Sequence, residues 1–222
     1  VPKSILLDIE GTTTPIAFVY NTLFPYARQH LASFLSTNPN EDLTKLSEEY
    51  ESDHAADKPP YEPVPYLTWL MDKDRKFTAL KSIQGKIWKQ GFESGQLKGE
   101  FFEDVPQALE RWTKEGKRVF IFSSGSVLAQ QLIFKYSNYG DLTKFLRGFF
   151  DTETGPKREP ASYKKIAQAI GQQPDEILFL SDVPEELAAA KTAGMQIALV
   201  VRPGNKPVES YTLDIIRDFS DI

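Results

Sequence analysis

Two carboxylates, Asp8 and Glu10, leave an apolar run together in the stretch ILLDIEGTTTPIAF, residues 5–18. Like charges that close repel one another, so a cation or a shared proton is needed to hold them. Further along, Ser123 and Ser124 stand in FSSGS, Lys157 in the loop DTETGPKREP, and Asp182 directly after ILFLS. Singly each is ordinary. An acid at a strand end usually forms a turn or caps a helix, SSGS before a helix is as good an N-cap as an anion site, and a loop lysine is usually solvated. Their weight lies in falling together at strand ends along one edge of one sheet.

The elements that would put them there are legible as apolar runs. Residues 4–8, 118–122, 177–181 and 196–201 are short, branched or aromatic, and bounded by polar, Gly or Pro signals, as strands buried on both faces are. Amphipathic helical patterns cover 104–115, 126–136, 159–170 and 184–193, with Pro106, Pro160 and Pro184 near their starts. Strand and helix in alternation predict an α/β core with a doubly wound parallel sheet, whose chemistry collects at the carboxyl ends of the strands. Residues 16–100 break the rhythm: their spacing is helical, with a Pro-rich joint at 59–65, PPYEPVP. This segment is read as an inserted helical cap, leaving 1–15 and 101–222 as the core. The tail, 206–222, reads as a loop and a short helix.

Composition narrows the classes. The 222 residues are 41% hydrophobic, enough for a proper core, and the net charge of −5 argues against broad attraction to nucleic acid or anionic lipid. There is no cysteine, so disulfides, thiolate nucleophiles and sulfur-bound zinc are excluded, and the two histidines, His30 and His54, are too few for an all-imidazole metal site. No stretch has the length of a membrane span, and VPKSILL lacks the apolar core of a signal peptide. A cytoplasmic monomer acting on a small molecule is the expectation.

The segments DIEGTTT, FSSGS, GPK and LFLSDVPEEL resemble, in order and spacing, the four motifs of the haloacid dehalogenase superfamily of phosphatases. With LLDIEGTTTPIAFVYNTLFPYA, FFEDV and VVRPGN, the likeness extends to the enolase-phosphatase family of methionine salvage, from the first strand to Asn205 and weakest over about residues 36–72. The resemblance implies that Asp8 is a nucleophile toward phosphorus and Glu10 its general acid–base. Ser123 and Ser124 would hold phosphoryl oxygens, and Lys157 would stabilise the transition state and bind the phosphate. Asp8, Glu10 through its backbone carbonyl, and Asp182 would ligate Mg²⁺, the cation that offsets the repulsion between a carboxylate and a phosphate dianion. It implies enolisation of 2,3-diketo-5-methylthiopentyl-1-phosphate followed by dephosphorylation; the expected location is the cytoplasm, with the nucleus as an optional second compartment. A capped phosphatase for another ester, such as a sugar phosphate, is the alternative; a non-catalytic binding protein on the same fold is a third reading.

Other residues carry less. In the fourth motif Glu185 and Glu186 fall at a helix start, where acids favour the local dipole, with a supporting role open for Glu185. For the base of the enolisation the candidates are Glu10 and a residue of the cap. Phe18, Tyr20, Phe24 and Trp88 are candidates to line a space between cap and core suited to a methylthio tail, with core packing the alternative. Arg202 could meet a phosphate, a carbonyl or a salt-bridge partner, and the charged run NEDLTKLSEEYESDHAADK is read as a solvated face.

Overall fold

Four of the sheet's strands are the apolar runs read from the sequence, and two more complete it. In the computed structural model, which describes residues 1–207 and 214–222, the strands are β1 (Ser4–Leu7), β2 (Arg118–Phe122), β3 (Leu146–Phe150), β4 (Ile177–Ser181), β5 (Gln196–Val200) and β6 (Ile215–Ile216). All pairings are parallel, in the order β3-β2-β1-β4-β5-β6. Leu7 at the end of β1 lies opposite both Ile121 and Leu180. The strand order therefore reverses at β1, and in open α/β sheets the crevice beyond the carboxyl ends at such a reversal is where ligands bind.

The chain divides into two compact units, Val1–Val19 with Lys98–Ile222, and Tyr20–Leu97. After β1 the chain makes one turn of helix, α1 (Ile16–Phe18), that widens into a π-type turn over Val19–Leu23. The helical unit then holds α2 (Phe24–Thr37), α3 (Thr44–Ser52), α4 (Pro63–Asp72) and α5 (Thr78–Glu93). The Pro-rich joint is itself a helix start, since Pro63 and Pro65 sit in the first turn of α4, where a missing N–H is no loss. Helix α5 buries Leu80, Ile83, Ile87 and Trp88, and the Trp88 indole donates to the Leu23 carbonyl at 2.8 Å. Phe24 stacks on Trp88, while Tyr20 is 55% exposed.

The charged run is not uniformly solvated. Glu49 accepts hydrogen bonds from the Thr78 and Ala79 N–H groups and so caps α5 from a distance. Asp53 is buried, paired with Arg75 at 2.9 Å, and accepts from the Tyr66 hydroxyl at 3.1 Å. Burial alone would raise its carboxyl; the Ala55 N–H, Tyr66 and Arg75 more than offset that and hold it below the ordinary carboxylate range.

The remaining helices, α6 (Asp104–Lys114), α7 (Val127–Lys135), α8 (Pro160–Ile170) and α9 (Pro184–Thr192), belong to the core unit. Leu6, Phe120, Phe122, Phe179 and Leu199 point to one side of the sheet and pack with Tyr163 and Ile166 of α8 and Leu187 and Ala190 of α9. Helix α6 buries Val105, Leu109 and Trp112, the last against Phe219. The expected tail helix lies partly on residues 208–213, outside the described residues. Of the described tail, Ile215–Ile216 adds a strand and Phe219–Asp221 a single 3₁₀ turn. Among the described residues no helix is long and apolar enough to cross a membrane.

Candidate active site

Asp8 follows β1 with its side chain 6% exposed, and the turn it begins is built tightly from its own chain. The N–H groups of Thr12, Thr13 and Thr14 converge on the Ile9 carbonyl, the Gly11 N–H donates to the Thr14 carbonyl, and the Thr13 and Thr14 hydroxyls add further bonds to Ile9. Gly11 has φ +73°, and a Cβ there would stand 2.4 Å from Asp182 Oδ2. Only glycine lets the first turn approach the end of β4 so closely. Glu10 is half-buried within this turn.

Lys157 arrives from the loop before α8, not from a strand, so it must be held in place. Tyr163, buried in α8, donates its hydroxyl to the Lys157 carbonyl at 2.6 Å, and Ser162 donates to the Pro156 carbonyl at 2.7 Å. The Lys157 side chain is 9% exposed, and its ammonium lies 2.6 Å from Asp8 Oδ1 and 2.7 Å from Glu186 Oε2. At an effective dielectric near 20, a contact this short is worth about 6 kcal/mol of Coulomb attraction before desolvation is subtracted. Burial opposes the lysine charge, but the two carboxylates more than compensate and raise its pKa above the usual value.

Three carboxylates share that one ammonium. Burial first, and then the charges of Asp8 and Glu186, push the Asp182 carboxyl up to about 7. Glu186 is likewise raised, by burial and by Asp8, against the pull of Lys157. Ser181, fully buried, accepts from the Val183 N–H and donates to Glu186 at 3.0 Å. Asp8 Oδ1 is engaged by Lys157 and by the Ile9 N–H at 2.8 Å. Its Oδ2 meets the Ser181 hydroxyl only at 3.4 Å, which makes Oδ2 the oxygen with lone pairs to offer.

On the other flank of β1, Ser123 is buried and its hydroxyl accepts from the Gly125 N–H, an arrangement that leaves its proton to donate. Ser126 is the N-cap of α7, accepting from Ala129, and Asp151 at the end of β3 accepts from the Val127 N–H. Ser124 is half-buried in the same loop. Gln130, 1% exposed, donates to both the Gly125 and Phe150 carbonyls and ties this loop to the end of β3.

Among the described residues, Asp182 Oδ1 is buried with no hydrogen-bond partner. A buried orphan acceptor in a nest of carboxylates calls for a cation or proton. Among the described residues no three His, Cys, Asp or Glu side chains form a ready-made metal cage. Two carboxylates, a backbone carbonyl and water suit a hard cation that keeps part of its hydration, and that is the set Asp8, Asp182 and the Glu10 carbonyl would offer.

Of the residues singled out in the sequence, Asp8 and Lys157 touch directly. Asp182 lies in their electrostatic field and against Gly11, while Ser123 stands at the neighbouring strand end. Glu186 was missed as a site residue: it turns to Lys157, while Glu185 is exposed. The available signal was its spacing, four residues after Asp182 and one helical turn along. Arg202 takes the salt-bridge alternative. It is 6% exposed, paired two-fold with Asp104 at 3.0 and 2.8 Å, and donates to the Thr12 carbonyl at 3.2 Å. His30 stacks on Tyr26, and His54 is exposed.

Residues 2–194 match the haloacid dehalogenase-like hydrolase family. The chain is 51% identical over 230 residues to an enolase-phosphatase E1 of Synechococcus elongatus, covering 99% of this chain and 97% of that one. It is 44% identical to an enolase-phosphatase E1 of Drosophila pseudoobscura pseudoobscura, covering 100% of this chain and 95% of the other. Among solved structures, the UTR4 protein of Saccharomyces cerevisiae superposes over 100% of both chains with a TM-score of 0.83 at 37% identity.

Proposed function

Since the chain belongs to the enolase-phosphatases of the haloacid dehalogenase-like hydrolase family, we propose that its site enolises and then dephosphorylates 2,3-diketo-5-methylthiopentyl-1-phosphate, with Asp8 as the attacking group and Mg²⁺ as the cation. The products are 1,2-dihydroxy-3-keto-5-methylthiopentene and inorganic phosphate. The observation that carries the reading is the direct contact of Lys157 with both Asp8, just past β1, and Glu186, beside the Asp182 oxygen that has no partner among the described residues.

In this reading Asp8 Oδ2 attacks phosphorus; the phosphorus–oxygen bond to the substrate breaks as an aspartyl-phosphate forms. Glu10 gives its proton to the departing oxygen, then removes one from the water that cleaves the aspartyl-phosphate, restoring both carboxyl groups. Lys157, 2.6 Å from Asp8 Oδ1, balances the negative charge of the transferring group. Ser123 donates its hydroxyl to a non-bridging oxygen, and Ser124 stands in the same cradle. Asp8, Asp182 and the Glu10 carbonyl would hold Mg²⁺, which supplies neutralisation of the phosphoryl oxygens and polarisation of the substrate carbonyls.

Asp8→Asn tests it. The variant is expected to fold, with unchanged circular dichroism, and to release no phosphate from the diketone phosphate, while wild-type enzyme requires Mg²⁺. Phosphate release by a folded Asp8→Asn protein at more than a hundredth of the wild-type rate would exclude Asp8 as the nucleophile. Better turnover of simple sugar phosphates than of the diketone would exclude the substrate.

A further inference from the structure

The RPGN loop is the motif that the phosphatase chemistry leaves unused. Asn205 donates its amide to the Gly11 carbonyl at 2.9 Å and faces the Val200 carbonyl at 3.4 Å. Two carbonyls on one side fix the amide orientation, since an oxygen turned toward them would meet only acceptors. The other side of the amide, Oδ1, is buried and has no partner among the described residues. It stands 3.0 Å from the point where a Gly11 Cβ would sit, and Asp182 Oδ2 stands 2.4 Å from that same point. Two acceptor oxygens converge there, one of them belonging to the carboxylate assigned above to the cation.

We infer that Asn205 is a positioning residue for the divalent cation: its amide holds the first turn through Gly11, and its carbonyl oxygen accepts a hydrogen bond from water in the hydration shell of the cation bound by Asp182. The inference rests on the cation site proposed above. Mg²⁺ keeps several waters, and water bound to a dication is a strong donor. A buried carbonyl oxygen beside it both satisfies the orphan acceptor and orients the shell, a kind of support whose loss weakens metal affinity about 10–100-fold.

Two variants separate this role from a simple latch. Asn205→Ala removes both functions. Asn205→Asp loses the donor to Gly11 but keeps an oxygen beside Asp182. Titration calorimetry of the substrate-free protein with Mg²⁺ reads the affinity directly, with Asp182→Asn as reference. The expected result is binding at least fivefold weaker in Asn205→Ala than in wild type, with Asn205→Asp tighter than Asn205→Ala. An Ala variant within fivefold of wild type, or an Asp variant no tighter than the Ala variant, overturns the inference and leaves the cation site standing. Wild type without Mg²⁺ binding, or Asp182→Asn binding as tightly as wild type, overturns the cation site and the inference together.

Discussion

Replacing Gly11 by alanine should damage the site far more than the fold. Two separate penalties act at this position. The first is conformational: φ is +73°, and a residue with a Cβ in the left-handed region costs about 1–2 kcal/mol. The second is contact: the new Cβ would stand 2.4 Å from Asp182 Oδ2 and 2.7 Å from Asp182 Cγ. The carboxylate must therefore shift by about 1 Å, a displacement that at a reacting centre costs about 10²-fold in rate. Relieving the overlap adds about 1–3 kcal/mol of destabilisation.

Gly116 carries the first penalty alone, because its φ is +79° with nothing among the described residues within 4 Å of a new Cβ, and it precedes β2 at the opposite end of the sheet. Gly116→Ala should lose about 1–2 kcal/mol in urea denaturation and keep its kcat/KM. Gly11→Ala should lose about 1–3 kcal/mol more than Gly116→Ala, and about a hundredfold in kcat/KM. Equal destabilisation of the two variants, or a Gly11→Ala enzyme within threefold of wild type, refutes the account of Asp182 as a rigid wall set against the first turn.

Lys157→Met should cut kcat/KM by at least about 10²–10³-fold, and because Asp8 and Glu186 then face each other unpaired it should also lose stability, by about 3–5 kcal/mol at pH 8; full activity would exclude the assigned role. In EDTA, thermal stability should fall as pH rises from 5 to 8. The Asp182 and Glu186 carboxyls are raised in the folded state, so their contribution is complete below the ordinary carboxylate pKa near 4 and is lost as pH rises through about 7. The loss is on the order of 4 kcal/mol at most for Asp182, and Mg²⁺ should restore more at pH 8 than at pH 5; melting curves identical at both pH values would contradict this. Arg202→Met should destabilise the core by about 3–5 kcal/mol in urea, because it leaves the Asp104 carboxylate without its guanidinium; a loss below 1 kcal/mol would refute the pairing.

Four strands could be read directly because each is apolar on both faces, and a parallel sheet covered by helices demands that. Strand β3, LRGFF, escaped because it lies at the sheet edge, with Arg147 exposed and a glycine in its middle, so no continuous apolar run marks it. Helix α4 was hidden by prolines that read as a joint yet sit where a helix tolerates them. The chemistry was partly legible for the same kind of reason. Asp8, Ser123 and Asp182 each follow a strand, so their address is local. Glu186 sits one turn into a helix, where an acid is equally well explained by the dipole, and nothing local marks Asp53 as buried among exposed neighbours. Those two depend on partners, Lys157 and Arg75, more than 20 residues away.

Strand register turns these local addresses into a site. Because β1 runs parallel between β2 and β4, with Leu7 level with Ile121 and Leu180, the residues just past all three strands emerge side by side. Carboxylates delivered this way would repel, and the residues that directly follow β1, β2 and β4, Asp8, Ser123 and Asp182, include no cation. The ammonium comes from a loop that crosses to the site only because α8 packs Tyr163 against Phe122 and Phe179 and uses its hydroxyl to hold the Lys157 carbonyl. Burial raises the Tyr163 pKa, helped by the charges of Glu186 and Asp8, so its hydroxyl keeps its proton and remains a donor. Tyr163 therefore joins the apolar core on one face of the sheet to the charge balance at its carboxyl edge, with the Ser162 bond to the Pro156 carbonyl as a second tie on the same loop.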